Sequence, residues 1–143
     1  MSDRTRPQRR RLSFLRKGAT RAVLVLGPLA LKFAGGERGR RCNRFEARLY
    51  KRMNARRRAM LCPVLWCTPH GRVLLVRTAR PLTEAEAMML RATNGFPDWD
   101  YVPPDESKPF EYKASDWGWF NGRLVALDYS APALFEDALP TEQ

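Results

Sequence analysis

Four charged residues near the C-terminus have the types and spacing that phosphate chemistry requires. Glu111, Lys113 and Asp116 lie close together, and Asp128 follows after a short stretch of chain. Carboxylate oxygens are ligands that Mg²⁺ prefers, and a lysine ammonium is a common partner for phosphate. An acid, a lysine and two oxygen ligands in this order suit phosphoryl transfer, in which the protein mainly positions groups and charges.

A β-hairpin is predicted to fix the position of Asp128. Two apolar segments flank Asn121-Gly122, and Asn-Gly is a strong signal for a two-residue type I′ turn. Asp128 closes the second strand, so its carboxylate is expected at a defined place. Trp117 and Trp119 alternate along the first strand, which favours core packing over a role as stacking platforms for nucleic-acid bases.

A lysine lies within an apolar strand in the first third of the chain. Two apolar runs around Gly27-Pro28 predict a hairpin, and strand alternation puts Ala30 and Lys32 on one face of Leu29–Ala34. The small side chains beside the lysine leave space above the sheet that a flat ligand could occupy. The alternative is that Lys32 extends its charged end to solvent.

A carboxylate is predicted on the apolar side of the helix that follows, for which Asn43 is the expected N-cap. On a helical wheel Glu46 points in the same direction as Leu49 and Tyr50. A buried carboxylate is costly unless it is paired, so we expect an ion pair with Lys32. The alternative is a carboxylate at the rim, paired with a neighbouring arginine.

The short helix that begins after Thr83 is predicted to have Thr83 as its cap, with Leu90, Met88 and Met89 on its buried side. His70 falls in a turn and is predicted to be exposed.

Taken in order, these segments resemble protein kinases over residues 20–130. A lysine strand, a glutamate helix, a strand hairpin, a hinge-like Ala79–Leu82, a segment like the catalytic loop and a final aspartate follow one another. The chain is most similar to compact, divergent kinase-like proteins, including the small kinases of bacteriophages. The resemblance implies an α+β fold: a kinase N-lobe-like antiparallel sheet with one main helix, plus a much reduced C-lobe made of a short helix and a catalytic-loop-like β-hairpin.

The resemblance also implies a nucleotide site for ATP. Ala30 would lie under the adenine, and Lys32, held by Glu46, would position the phosphates. In the family, backbone groups of the hinge bind the adenine edge, so Ala79–Leu82 is the expected counterpart. A glycine-rich phosphate loop is absent ahead of the first strand.

The catalytic and metal-binding roles are likewise implied by the resemblance. Glu111 would orient the acceptor hydroxyl and Lys113 would steady the γ-phosphate, while Asp116 and Asp128 would hold Mg²⁺. Glu111 and Asp116 stand where the family has Asp and Asn.

Charge divides the chain into two unequal parts. Residues 1–80 contain 22 basic and three acidic residues, a formal charge of +19, whereas residues 81–143 contain four basic and 12 acidic residues, a formal −8. Such asymmetry indicates a surface for an anionic partner. We predict a disordered basic arm at 1–11, a single kinase-like domain at 12–135 and an acidic tail at 136–143.

Three cysteines without zinc-ribbon spacing and the absence of a long apolar run favour a cytoplasmic protein, in a bacterial cell or an infected host, that does not associate with membranes.

Three functions fit these features. The first is a minimal kinase that binds ATP and Mg²⁺. The second is a pseudokinase whose fold binds a protein, such as a phage factor acting on a host protein. The third is a basic module without catalysis: a protein inhibitor, or a nucleic-acid-binding protein that uses the basic half of the chain with Trp66 or the Trp117/Trp119 pair as stacking platforms, although core packing is the favoured role for these tryptophans.

Overall fold

The computed structural model describes residues 14–17, 20–99 and 108–134, which form an α+β fold with two antiparallel sheets. The first sheet contains β1 (Phe14–Lys17), β2 (Arg21–Leu26), β3 (Leu29–Ala34), β4 (Val64–Cys67) and β5 (Val73–Arg77). The second contains β6 (Arg80–Pro81), β7 (Trp117–Phe120) and β8 (Arg123–Ala126). The helices are α1 (Glu37–Arg52), α2 (Ala55–Arg58) and α3 (Glu84–Ala92), with 3₁₀ turns at Ala114–Asp116 and Ala131–Leu134. The predicted arm and acidic tail lie outside the described residues.

The larger sheet has the strand order β1-β2-β3-β5-β4, and α1 and α2 connect β3 to β4. The predicted first hairpin is confirmed: Leu26 pairs with Leu29, and Gly27 has a positive φ of 58° in the turn. Because directly paired residues share a face, β2, β3 and β5 bring together a set of inward-facing side chains. That set consists of Arg21, Val23, Val25, Ala30, Lys32, Leu74 and Val76.

Helix α1 begins earlier than the sequence pattern predicts. It starts at Glu37 with Gly36 as the N-cap residue, so the prediction that Asn43 caps it is wrong. Gly39 lies inside the helix, at a point where a Cβ would overlap the carbonyl of Thr20, the residue before β2. Glycine here permits close packing of helix and sheet. Within the described residues, no helix is both long enough and apolar enough to cross a membrane.

The second sheet is built on the predicted Asn-Gly hairpin. Asn121 and Gly122 both have positive φ values, 48° and 77°, which is the geometry of a type I′ turn. Strand β7 carries the fully buried Trp117 into an aromatic core beneath the sheet. The rings that contact one another there are Phe96, Trp99, Phe110, Tyr112 and Trp117. This core fixes the hairpin and the turn that precedes it.

Helix α3 has the predicted cap and only part of the predicted buried face, since Leu90 is partly buried against the core. Thr83 and Glu86 form a complete capping box. Met88 and Met89 are 64% and 69% exposed, so the prediction that they pack in the core is wrong. Of the nine residues of the helix, Ala87 alone is fully buried, and it immediately precedes the two methionines in the sequence.

Candidate functional site

The expected ion pair between Lys32 and Glu46 is present at the centre of the molecule. Lys32 Nζ lies 2.8 Å from Glu46 Oε2, and both side chains are buried, Glu46 completely. Strand β3 supplies the lysine and α1 supplies the glutamate, so the pair joins the sheet to the helix. Lys32 also donates a hydrogen bond to the Leu127 carbonyl at 2.6 Å, which connects this pair to the end of the β7–β8 hairpin.

A third charge, on Arg21, completes this buried network. Arg21 Nη2 lies 2.7 Å from Glu46 Oε1 and 3.2 Å from Asp128 Oδ1. Two cations, Arg21 and Lys32, therefore face two carboxylates, Glu46 and Asp128, and the four formal charges cancel. Such balance is what makes buried charges tolerable in a protein interior.

Neutral groups satisfy the remaining hydrogen-bonding capacity of the network. Asn43 accepts a hydrogen bond from Arg21 at 3.1 Å and donates to the Lys32 and Gly71 carbonyls. The Ser130 hydroxyl lies 3.1 Å from both Arg21 Nη2 and Asp128 Oδ1. In the part of the chain that the structure describes, no buried side-chain nitrogen or oxygen lacks a hydrogen-bond partner. The network is thus specific in geometry as well as in charge.

Asp116 and Asp128 are close enough to interact electrostatically, yet their pKa values shift in opposite directions. Burial and, second, the charge of Asp128 together raise the pKa of Asp116 to about 6, while the charge of Lys113 opposes the shift. For Asp128, burial would raise the pKa, but the charges of Arg21 and Lys32 outweigh it and lower the pKa overall. Asp128 is therefore ionised at neutral pH, with half of its side chain exposed to solvent. Asp116 is the carboxylate that changes charge near pH 6.

Lys113 and Glu111 lie at the outer edge of this group. Lys113 Nζ is 3.3 Å from Glu111 Oε2, and both side chains are more than half exposed. The pKa of Lys113 is raised, first by the charge of Asp116, then by its hydrogen bond to Glu111, with a smaller contribution from Asp128. The Asp116 carbonyl accepts a hydrogen bond from Leu127 N at 2.6 Å, which fixes the turn carrying these residues against the hairpin.

Ala30 lies on the same sheet face as Lys32, as the sequence predicts. It is buried against Leu74 and Val76 in a small apolar cluster. The hinge-like segment Ala79–Leu82 differs from the expectation, because Arg80–Pro81 forms strand β6 and pairs with β7. The Leu82 amide donates to the Trp117 carbonyl, so part of the hinge backbone is used within the second sheet.

Asp116 and Asp128 are the two carboxylates of this group that could hold a metal ion together with phosphate oxygens. Within residues 14–17, 20–99 and 108–134, no group of three or more His, Cys, Asp or Glu side chains is arranged to hold a metal ion. Magnesium commonly uses one or two carboxylates together with phosphate oxygens and water. Asp116 and Asp128 fit that requirement in number and type.

The central position of Arg21 among the predicted site residues was not predicted from the sequence. The structure brings Lys32, Glu46 and Asp128 into direct or shared contact through Arg21. The available signal was alternation: Arg21 is in phase with Val23, which places it on the inward face of β2. Asn43 was missed because its position near glycines suggested a helix start.

Comparisons with known proteins give no relative for this chain. No protein-family model matches it, and neither a curated protein nor a solved structure is found to be similar.

Proposed function

We propose that this protein is a minimal kinase-like protein that binds a nucleotide with Mg²⁺ between the five-stranded sheet and the β7–β8 hairpin. The observation that carries the proposal is the Lys32–Glu46 ion pair, because the same lysine also bonds to the Leu127 carbonyl beside Asp128. A cation for phosphate and a carboxylate for metal are thus held next to each other by two different sheets. This is the arrangement that nucleotide phosphates and magnesium require.

The order of the elements supports the kinase-like assignment. A five-stranded antiparallel sheet carries the lysine on its third strand, and the helix that follows this strand carries the paired glutamate. The metal-binding aspartate would come from the end of a later hairpin, at Asp128. Ala30 would offer a small side chain beneath the base, with Val23 and Val25 extending the apolar surface.

Arg21 pairs with Asp128, the carboxylate that we propose as a metal ligand. Its guanidinium lies within hydrogen-bond distance of Asp128, so a metal ion at Asp128 must compete with a cation that is already there. Nucleotide binding would therefore require Arg21 to release Asp128, either toward Glu46 alone or toward a phosphate oxygen. Because Asp128 is half exposed, incoming magnesium can reach it without unfolding the network.

The geometry of the site is expected to favour nucleotide binding over phosphate transfer. Glu111, the proposed acceptor-orienting residue, is exposed and paired with Lys113 instead of being held by the core. A general base must lie within hydrogen-bond reach of the acceptor in a fixed geometry. A loosely held glutamate meets that condition poorly, so we propose nucleotide binding as the main activity and a protein as the partner that responds to it.

Calorimetric titration with ATP and with GTP, each with and without Mg²⁺, tests this proposal. Wild-type protein should bind one nucleotide only when magnesium is present, and Asp128→Asn should lose that binding. Glu84→Gln, which removes an equal charge from an exposed position on α3, is the matched control and should bind as wild type does. Equal binding with and without magnesium, or unchanged binding by Asp128→Asn, would overturn the proposed role of the site.

A further inference from the structure

Strand β4 exposes two large apolar side chains at the edge of the larger sheet. Leu65 and Trp66 are 45% and 56% exposed, which makes Trp66 one of the most exposed large apolar residues in the described part of the chain. The pairing of β4 with β5 shifts register between Val64 and Trp66, leaving Leu65 without a partner. A bulge of this kind turns side chains that would alternate toward the same side. The prediction that Trp66 packs in the core is therefore wrong.

These residues form one wall of a groove of about 360 Å³ between β4 and α1. The opposite wall comes from α1 and from Arg58, whose guanidinium bonds to carbonyls at the C-terminal end of α1. The groove is lined by Ala47, Tyr50, Lys51, Arg58, Val64, Leu65 and Trp66. Its volume is large enough for a bulky apolar side chain.

The charged residues that line the groove are basic. Lys51 and Arg58 line it, and none of the described residues that line it is acidic. Arg58 is held firmly, since its guanidinium donates to the Tyr50, Lys51 and Met53 carbonyls and lies over the Tyr50 ring. An apolar groove with a basic rim is complementary to an acidic segment that carries an apolar anchor.

The strand edge favours a peptide over a nucleic acid. Among the described strands, β4 pairs only with β5, so its other edge is available to an extended chain. Strand addition supplies main-chain hydrogen bonds, while a pocket beside the edge selects a side chain. Single-stranded nucleic acid usually stacks on several aromatic residues, whereas Trp66 is the one aromatic among the large apolar residues found exposed in the described chain.

We infer that this groove binds an extended acidic peptide segment of a partner protein, with one large apolar side chain inserted beside Trp66 and carboxylates facing Lys51. The inference does not depend on the proposed nucleotide function, because none of the groove residues belongs to the Arg21–Lys32–Glu46–Asp128 network. Its test can therefore be performed without nucleotide.

Fluorescence anisotropy with a labelled peptide tests the inference. The probe is a twelve-residue peptide in which glutamates flank a central tryptophan; its two companions replace either the glutamates by glutamine or the tryptophan by alanine. The first probe should bind saturably and weaken as salt rises, and each companion should bind at least about tenfold more weakly. No saturable binding below about 1 mM of the first probe would overturn the inference.

Variants of the protein locate the site. Trp66→Ala and Lys51→Glu should each weaken binding of the first probe about tenfold or more. Met88→Ala, another exposed apolar residue, and Arg38→Glu, an exposed position on the same helix as Lys51, are the matched controls and should bind normally. If Trp66→Ala lowers the melting temperature, a loss of binding could reflect unfolding, and the binding of the first probe by Lys51→Glu then tests the site. Unchanged binding by Lys51→Glu, or tighter binding of a twelve-nucleotide thymidine strand through the same residues, would contradict a peptide groove.

Discussion

Arg21 and Asp128 are 107 residues apart in the chain, and their side chains lie 3.2 Å from each other. Arg21 opens strand β2, and Asp128 follows the last strand of the second sheet. Their contact therefore spans both sheets at the point where we propose that magnesium and phosphate bind. An internal cation at the metal-binding carboxylate makes metal binding a competition, and this relation has consequences that can be measured.

Replacing Arg21 should lower the stability of the protein while raising its affinity for the ligand. Arg21→Gln removes one of two cations beside the buried Glu46, so the free energy of unfolding should fall by about 3 kcal/mol. The same change frees Asp128, so magnesium-dependent nucleotide affinity should rise several-fold. Urea denaturation and calorimetric titration measure the two effects. Arg40→Gln, which disturbs only the surface pair with Glu37, is the control. A loss of affinity in Arg21→Gln would show that Arg21 binds the ligand instead of competing with it.

Glu46 should be more important for stability than another carboxylate of the same helix that also has arginine partners. Glu46→Gln leaves Arg21 and Lys32 buried without a full counter-charge, which should lower the free energy of unfolding by about 3 kcal/mol. Glu37→Gln removes exposed, solvent-screened pairs on α1 and should lower the free energy of unfolding much less. Urea unfolding curves of both variants provide the comparison, and equal losses would argue against a tightly built central network.

The titration of Asp116 predicts a specific dependence on pH. Its pKa is about 6 in the folded protein against an ordinary value of 3.8, so the folded state holds the proton longer than the unfolded state. Stability from this group is thus greatest at low pH and decreases as pH rises from about 4 to about 6. Asp116→Asn should remove that decrease and be more stable than wild type above pH 6, by less than the roughly 3 kcal/mol that the full shift would give, because solvent screens part of the interaction. Chemical denaturation at several pH values measures the difference; curves that stay parallel would contradict the assignment.

Magnesium-dependent nucleotide binding should increase with pH as Asp116 becomes ionised. An ionised Asp116 is a better metal ligand than a protonated one, so nucleotide affinity in the presence of Mg²⁺ should rise from pH 5 to pH 7. Titrations at matched ionic strength measure this effect, with Asp116→Asn as the variant whose affinity should not change with pH. A wild-type affinity independent of pH would mean that Asp116 does not contact the metal.

Local patterns in the sequence predicted much of the fold. The turns at Gly27-Pro28 and Asn121-Gly122 each impose a backbone geometry that few other residue pairs accept, and both hairpins form as expected. The Lys32–Glu46 pair could be predicted because each residue lies on the otherwise apolar face of its element, where a charge needs a partner. Strand alternation and helix periodicity are sufficient for such cases.

The parts that sequence reasoning missed depend on contacts between distant elements. Gly39 breaks a helix by propensity, yet close packing against Thr20 overrides propensity here. Arg21 lies on a strand whose inward face is otherwise apolar, and only the folded hairpin supplies the second carboxylate that balances it. The exposure of Trp66 follows from a bulge that no local signal predicts.

The thermal stability of the wild-type protein with and without ligand tests the central claim most directly. Melting temperatures should be measured with ATP or GTP at millimolar concentration, with Mg²⁺ and with a chelator in its place. Ligand at about ten times its dissociation constant adds roughly 1.4 kcal/mol, so the melting temperature should rise by about 4 °C only when nucleotide and magnesium are both present. Asp128→Asn should show no such rise. An unchanged melting temperature of the wild-type protein with both nucleotides and magnesium would contradict a nucleotide site between the two sheets.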